Sequence, residues 1–183
     1  MRKSVYICLT FIFLFLYNHT VNADSITSVN NQVIIINKAT NTLAFYDDYR
    51  LVRVFAVATG KAESFTPEGI YPIVNKIKNR PYYKKNIPGG DPRNPLGNRW
   101  LGLEVNDTYG TTYAIHGNNN PDSIGKYASL GCIRMHNEDV EWLYERVEVG
   151  TNVIIVNSND SFHTIAAKYG YDVDTYFYQH YNW

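Results

Sequence analysis

Apolar and polar positions alternate in short bursts along the first half of the chain. Gln32 to Asn37 (QVIIIN), Thr42 to Tyr46 and Leu51 to Ala58 are each rich in β-branched or aromatic residues. Asn41 and the pair Asp47-Asp48 punctuate them, so the spacing predicts three strands joined by hairpin turns. Strands this close in sequence form an antiparallel meander, which points to a mainly β domain and away from a βαβ fold. Gly60 closes the third run, Thr66-Pro67-Glu68-Gly69 reads as a turn, and Gly69 to Val74 begins another strand. From Asn79 to Asn98 the periodicity fails, with Pro81, Pro88, Pro92 and Pro95 set among Gly89, Gly90 and Gly97. A stretch of that kind is a functional or a disordered loop. Trp100 to Val105 and Tyr113 to Ile115 return to strand.

Helical spacing appears only later. Asn137 is expected to cap a helix, with Glu138 and Asp139 at its positive end and Val140, Leu143, Tyr144 and Val147 at i, i+3, i+4, i+7. Gly150 ends it, and Asn152 to Val156 is the last strand. Beyond that, Phe162, Ile165, Ala166 and Tyr169 make one apolar stripe closed by Gly170. Val173, Tyr176, Phe177 and His180 make a second, capped by Asp172. The expected fold is mainly β, an antiparallel sandwich or barrel-like domain, with one helix packed behind the Cys132 loop and a C-terminal helical hairpin.

The N-terminus changes the reading of the rest. Arg2 and Lys3 precede an uncharged, mostly apolar run from Val5 to Leu16, and Val21-Asn22-Ala23 offers a cleavage site. That run is shorter than the ~20 residues a membrane span needs. A secretory signal peptide over 1–23, cleaved after Ala23, is expected in preference to a retained anchor. The organisation is then 1–23 leader, 24–157 main domain and 158–183 helical tail. The full chain has 17 Lys plus Arg against 17 Asp plus Glu, so losing the leader leaves it slightly acidic. No basic footprint for nucleic acid remains. Of the two cysteines, Cys8 goes with the leader and has no lipidation-type sequence around it. Cys132 is left alone in an exported chain, where it has no disulfide partner, so a reactive thiol is what remains.

Two segments carry chemistry. Tyr113-Ala-Ile-His-Gly-Asn118 delivers His116, and Ser129-Leu-Gly-Cys-Ile-Arg-Met135 delivers Cys132, with Asn118 to Gly125 as the loop between two neighbouring strand ends. A thiol attacks a carbonyl as thiolate, and with a free pKa of ~8.5 it needs a base or a cation nearby. Gly117 and Gly131 lack a Cβ, which lets a substrate approach the backbone and lets amides there, Cys132's included, point at an oxyanion. The pattern points to acyl transfer through a thioester. Two plainer readings compete: a buried small thiol beside a satisfied histidine, and a zinc site built from Cys132, His116 and His136. The second lacks a fourth ligand at ligand spacing, so no metal and no other cofactor is expected.

These residues also carry a family resemblance. His116-Gly117 followed by Ser129-x-Gly131-Cys132-Ile133-Arg134-Met135 resembles the signature of the L,D-transpeptidase (YkuD-type) catalytic domain. Thr66-Pro-Glu-Gly-Ile-Tyr-Pro-Ile73 and Asn94-Pro-Leu-Gly-Asn-Arg-Trp-Leu-Gly-Leu103 extend it, and the match runs from about Gln32 to Val156. One position departs: Leu130 stands where many members have histidine, so His116 serves as the sole nearby base. The resemblance implies a peptidoglycan stem peptide as substrate, with Cys132 attacking the carbonyl at the L-centre of its third residue and expelling the terminal D-amino acid. It implies His116 as base, the backbone at Gly131, Cys132 and Gly117 around the oxyanion, and Ser129, Arg134 and Asn118 against substrate. Arg134 would orient a carboxylate or brace the loop. An amine acceptor makes a cross-link, whereas water makes the enzyme an L,D-carboxypeptidase.

Tyr82, Tyr83, Lys84 and Lys85 offer a groove for an anionic sugar-peptide polymer, or a solvated loop with aromatic anchors. Asp160 to Gly170 resembles the first half of a LysM module, which would add glycan strands as a partner. The rival from another class is a cell-wall binding protein without chemistry. With the leader removed the protein is expected in the cell wall, periplasm or medium, without a stable membrane anchor.

Overall fold

A computed structural model describes residues 31–173. Its strands are β1 (Val33–Asn37), β2 (Thr42–Asp47), β3 (Arg50–Ala56), β4 (Thr59–Gly60), β5 (Gly69–Lys78), β6 (Arg99–Leu103), β7 (Tyr113–His116), β8 (Tyr127–Ser129), β9 (Ile133–Arg134) and β10 (Asn152–Val156). Two helices follow the site and the last strand, α1 (Asn137–Tyr144) and α2 (Phe162–Lys168). Eight strands form one sheet in the order β3-β2-β1-β10-β5-β6-β7-β9, curled into a half-barrel, and β4 pairs β8 in a small parallel ribbon. The expected meander is present as β1-β2-β3, with Asn41 and Asp48 at positive φ (52° and 47°) in its two turns. Short polar Asn and Asp tolerate that conformation better than most residues.

The sheet is mixed: β1 runs parallel to β10, and β7 parallel to β9. The last strand in sequence is therefore central, inserted between β1 and β5. This explains why β1 reads as an unbroken apolar run. Every β1 residue is buried, because both faces of the sheet are covered at that point. Ile34 and Ile36 join Leu43, Phe45, Ile115, Val153 and Ile155 under α1, while Val33 and Ile35 join Ala44, Tyr46, Ile154 and Val156 under α2. Successive residues of a strand point to opposite faces, so one strand serves both cores.

One expectation about a helix needs correction. Asn137 does not cap α1; His136 holds that position without a side-chain bond, and Asn137 is the first helical residue. Its side chain is used elsewhere, as described below. The described part of the stretch after β10 packs on the sheet. Ser161 caps α2 by accepting from the Thr164 N–H, and Ile165, Ala166 and Val173 are buried in the second core. Tyr176, Phe177 and His180, the rest of the expected second stripe, lie outside the described residues, as does the whole leader. Among the described residues no helix is long and apolar enough to cross a membrane.

Because Ile165 is 2% exposed and seals that core, Ile165→Ala should cost about 2–4 kcal/mol. A melting temperature unchanged from the parent would show that α2 is not part of the cooperative unit.

Candidate active site

Register places the reactive residues. In the parallel pair β7·β9, Ile115 faces Ile133 and His116 faces Arg134. Ile115 and Ile133 point into the core under α1, so the alternation sends His116, Cys132 and Arg134 to the opposite face. Trp100 of β6 is the cross-strand partner of His116 and stacks on it, rings 5.5 Å apart and 13° from parallel. These four residues line one cleft of about 430 Å³, whose far wall is the irregular segment through Arg80, Tyr82, Tyr83, Lys84 and Leu96. Of the four residues expected to form a groove, Tyr82, Tyr83 and Lys84 line it, but Lys85 does not.

His116 is 3% exposed, and its Nδ1 lies 2.6 Å from the Gly117 carbonyl oxygen. A carbonyl only accepts, so that nitrogen carries the hydrogen and Nε2 is left with its lone pair. Burial lowers the imidazole pKa to about 4, helped by the nearby Arg134 and Arg80, while hydrogen bonds to the Gly117 and Leu96 backbone oppose the shift. Cys132 is partly exposed and donates its thiol to the Thr112 carbonyl at 3.2 Å. Burial pushes that thiol up, and the Ala114 backbone, Arg134, Arg80 and Lys84 pull it back down. At neutral pH the pair therefore rests as neutral thiol and neutral imidazole.

The turn before Cys132 is built by three contacts. Gly131 has φ +137°, which glycine adopts without strain. The Ser129 hydroxyl accepts from the Gly131 N–H at 3.0 Å, and Thr66 Oγ1 donates to the Gly131 carbonyl at 2.8 Å while accepting from Gly60 N–H at 2.9 Å. Ser129 is a buried brace of this turn and also lines the cleft. The Gly131 amide is already occupied. So is that of Gly117, whose N–H goes to the Arg99 carbonyl at 3.3 Å. Of the three amides expected around an oxyanion, Cys132's is the one with no partner among the described residues.

Gly117 and Asn118 have structural duties as well. Asn137 Oδ1 accepts from the Asn118 N–H at 3.0 Å, and its Nδ2 donates to the Asn118 carbonyl at 3.1 Å. Asn118 in turn donates its amide to the Met135 carbonyl and accepts from the Asn120 N–H at 2.7 Å. It is 6% exposed, its side chain is turned into the protein, and it is not among the residues lining the cleft. A Cβ on Gly117 would overlap Asn137 Oδ1 and come within 3.1 Å of the Gly97 Cα. Gly117 is therefore glycine to admit Asn137 behind His116. Gly117→Ala should destabilise the protein by about 1–3 kcal/mol, as overpacking does, and should also slow Cys132-dependent chemistry by displacing His116. An unchanged melting curve would refute that packing account.

Three contributors were not singled out as site residues in the sequence. Thr66 lies in a stretch read as a turn and as part of the resemblance, and it holds the Cys132 turn. Trp100 was assigned to a strand within a stretch that carries the resemblance. Arg80 sits over the Trp100 ring at 3.9 Å and donates to the Thr111 carbonyl at 3.1 Å. Among the described residues no three His, Cys, Asp or Glu side chains gather as metal ligands.

The profile of the L,D-transpeptidase catalytic domain (YkuD) matches residues 31–155, most of the chain. The chain belongs to the YkuD family. YqjB of Bacillus subtilis, designated an L,D-transpeptidase, is 48% identical over 136 residues, covering 74% of this chain and 77% of that protein. YkuD of Bacillus licheniformis is 45% identical over 114 residues, covering 62% of this chain and 59% of that protein. ErfK/SrfK of Escherichia coli is 32% identical, and this chain spans only 44% of it. Among solved structures, an L,D-transpeptidase from Mycobacterium tuberculosis superposes with TM-score 0.56 at 20% identity, over 68% of this chain and 57% of that one. One from Mycobacterium smegmatis gives 0.53 at 22%, over 68% and 58%. At such identity the likeness is one of fold: the curled, mainly β YkuD sheet. The tail's likeness to LysM finds no support in these matches.

Proposed function

We propose that this protein is an exported L,D-transpeptidase that uses Cys132 to form a thioester with a peptidoglycan stem peptide. The observation that carries the reading is the convergence of His116, at the end of β7, and Cys132, just before the parallel β9, on one cleft, with His116 fixed in a single tautomer by the Gly117 carbonyl. Family membership supplies the reaction class.

The resting pair is neutral, so the thiol is activated during attack. His116 Nε2 takes the Sγ proton as the sulfur bonds to the scissile carbonyl carbon. The imidazolium formed is steadied by the Gly117 and Leu96 carbonyls, the two backbone groups that favour the charged ring. The Cys132 N–H serves the oxyanion. Collapse breaks the C–N bond, and the imidazolium returns its proton to the departing amine, leaving a thioester and a neutral histidine. An acceptor amine then attacks the thioester carbonyl, gives its proton to His116 and restores the thiol. If water takes that place, the product is a hydrolysed tripeptide.

Export rests on the Arg2-Lys3 start, the apolar run and Val21-Asn22-Ala23; N-terminal sequencing of secreted protein should begin at Asp24. The reaction is tested with a defined disaccharide-tetrapeptide, with and without an amine acceptor, followed by mass spectrometry. Loss of the terminal D-residue with formation of a cross-linked dimer supports the transpeptidase. Loss without a dimer supports the carboxypeptidase. No change, with intact binding to cell walls, favours a binding protein.

A further inference from the structure

We propose that the Arg80 guanidinium is a carboxylate seat beside the Cys132 sulfur, selecting acyl donors that carry a free carboxylate next to the bond attacked. The inference rests on the reading of Cys132 as nucleophile and names the group on the donor that the cleft holds.

The cleft is lined by three cationic side chains, Arg80, Lys84 and Arg134, and by no Asp or Glu. Lys38 and Lys78, by contrast, are paired with Glu68 and Glu145. None of the three cleft cations is in an ion pair among the described residues. The lining of this cleft is therefore positively charged, with no carboxylate to offset it.

Arg80 is the most constrained of the three. Its Cζ lies over the Trp100 ring at 3.9 Å and its Nη2 is tied to the Thr111 carbonyl at 3.1 Å. Its Nη1 is buried and has no hydrogen-bond partner among the described residues. A buried guanidinium nitrogen left without an acceptor is costly, and the planar fork of arginine matches a carboxylate with two parallel bonds. Burial also lowers the Arg80 pKa, and no carboxylate acts against it.

Location ties this seat to the chemistry. The Thr111 carbonyl holds Arg80, and the next carbonyl, that of Thr112, holds the Cys132 thiol. Consecutive residues are about 3.8 Å apart between Cα atoms. Arg80 and the sulfur line one cleft, and the charge of each acts on the other. On a stem peptide two groups flank the carbonyl attacked: the α-carboxylate of the leaving residue and a side-chain carboxylate of the residue attacked.

Two haloacetates of nearly equal size but different charge read the seat without peptide substrate. The full chain is alkylated at one pH with iodoacetate and with iodoacetamide, and N-acetylcysteine is treated in parallel as a free thiol. The iodoacetate-to-iodoacetamide rate ratio should exceed that of the free thiol. Arg80→Gln should lower it about tenfold, the scale of one charge-assisted contact, while the iodoacetamide rate changes much less. Arg80→Lys keeps the charge without the fork and should fall between the two. A parental ratio no higher than the free thiol overturns the proposal, whatever the variants do. So does a ratio unchanged in Arg80→Gln or, should that variant fail to fold, in Arg80→Lys. Donor tetrapeptides amidated at one carboxylate or the other then identify which is held: only amidation of the seated group should raise KM and abolish the difference between parent and Arg80→Gln. A charge-selective thiol without cross-linking would leave the seat standing and remove the transpeptidase. A flat ratio with cross-linking intact would do the reverse.

Discussion

Cys132→Ala should fold normally, take up no alkylating agent and form neither acyl adduct nor cross-link. Under the proposed cleavage after Ala23, Cys132 is the one thiol of the mature chain, so stoichiometric alkylation of that form should by itself abolish turnover. Stability should change by about 1 kcal/mol, the ordinary scale for a single substitution, since a small, partly exposed side chain is exchanged for a smaller one. His116→Ala should retain the thiol yet lose about 10²–10⁴-fold in rate, the range set by removing a general base. It will also lose some stability, because Trp100 loses its stacked partner and a nearly closed site is emptied. Turnover measured beside thermal melting separates the two effects. Near-parental turnover in either variant, while folded, would sink the assignment of Cys132 and His116.

The second large effect is on pH. His116 has its folded pKa lowered to about 4, against ~6.5 for a free imidazole. Between those values the unfolded chain binds a proton that the folded chain does not. Stability from this group is therefore fully present above pH ~6.5 and is lost as pH falls through about 4. At ~1.4 kcal/mol per unit the loss is about 3 kcal/mol over the window. Asp91, which Arg93 holds down to about 2, and Glu145 and Asp160, both lowered by their lysine partners, also cost stability in acid. Those contributions are common to parent and His116→Gln, so the difference between their stability curves isolates the histidine. Parallel curves from pH 4 to 7 would show that His116 is not buried neutral. Reactivity gives the companion result. With the Cys132 thiol pushed up by burial, alkylation by iodoacetamide should climb through and beyond pH ~9. A plateau at pH 5–7 would mean a resting thiolate–imidazolium pair instead.

What could be read in the chain follows from what each residue's neighbours in sequence reveal. The β-branched runs gave β1, β2 and β3, because strand propensity and turn residues are local. His116 and Cys132 were legible because each is flanked by glycine and set at a strand end. The position of β10 was not, since an apolar run announces a strand without naming the strands beside it. Asn137 looked like a cap because capping residues precede apolar stripes; its side chain is spent instead on Asn118, across a contact that no local pattern records. Gly117, Gly131, Ser129 and Asn118 were picked out for the site, and the structure adds that the amides of the two glycines and the side chains of Ser129 and Asn118 bond within the protein to hold its backbone. Arg80 was missed for the opposite reason. It sits at the edge of a proline-rich stretch without periodicity, and its role emerges only when Trp100 is brought beneath it.

The parallel pairing of β1 with β10 has a consequence in time. The sheet's centre is completed by residues 152–156, so nothing made earlier can close its core. A chain emerging from the ribosome must hold β1 and β5 apart until nearly the whole described segment has been synthesised. Such long-range closure is slow, and until β10 and α2 are made β1 lacks its partner along one edge and its cover on the α2 face. That is a hazard for a protein folding in the cytosol. For one that is threaded unfolded through a translocation channel, it is a built-in delay: the last strand to arrive is the one that lets the molecule fold on the far side.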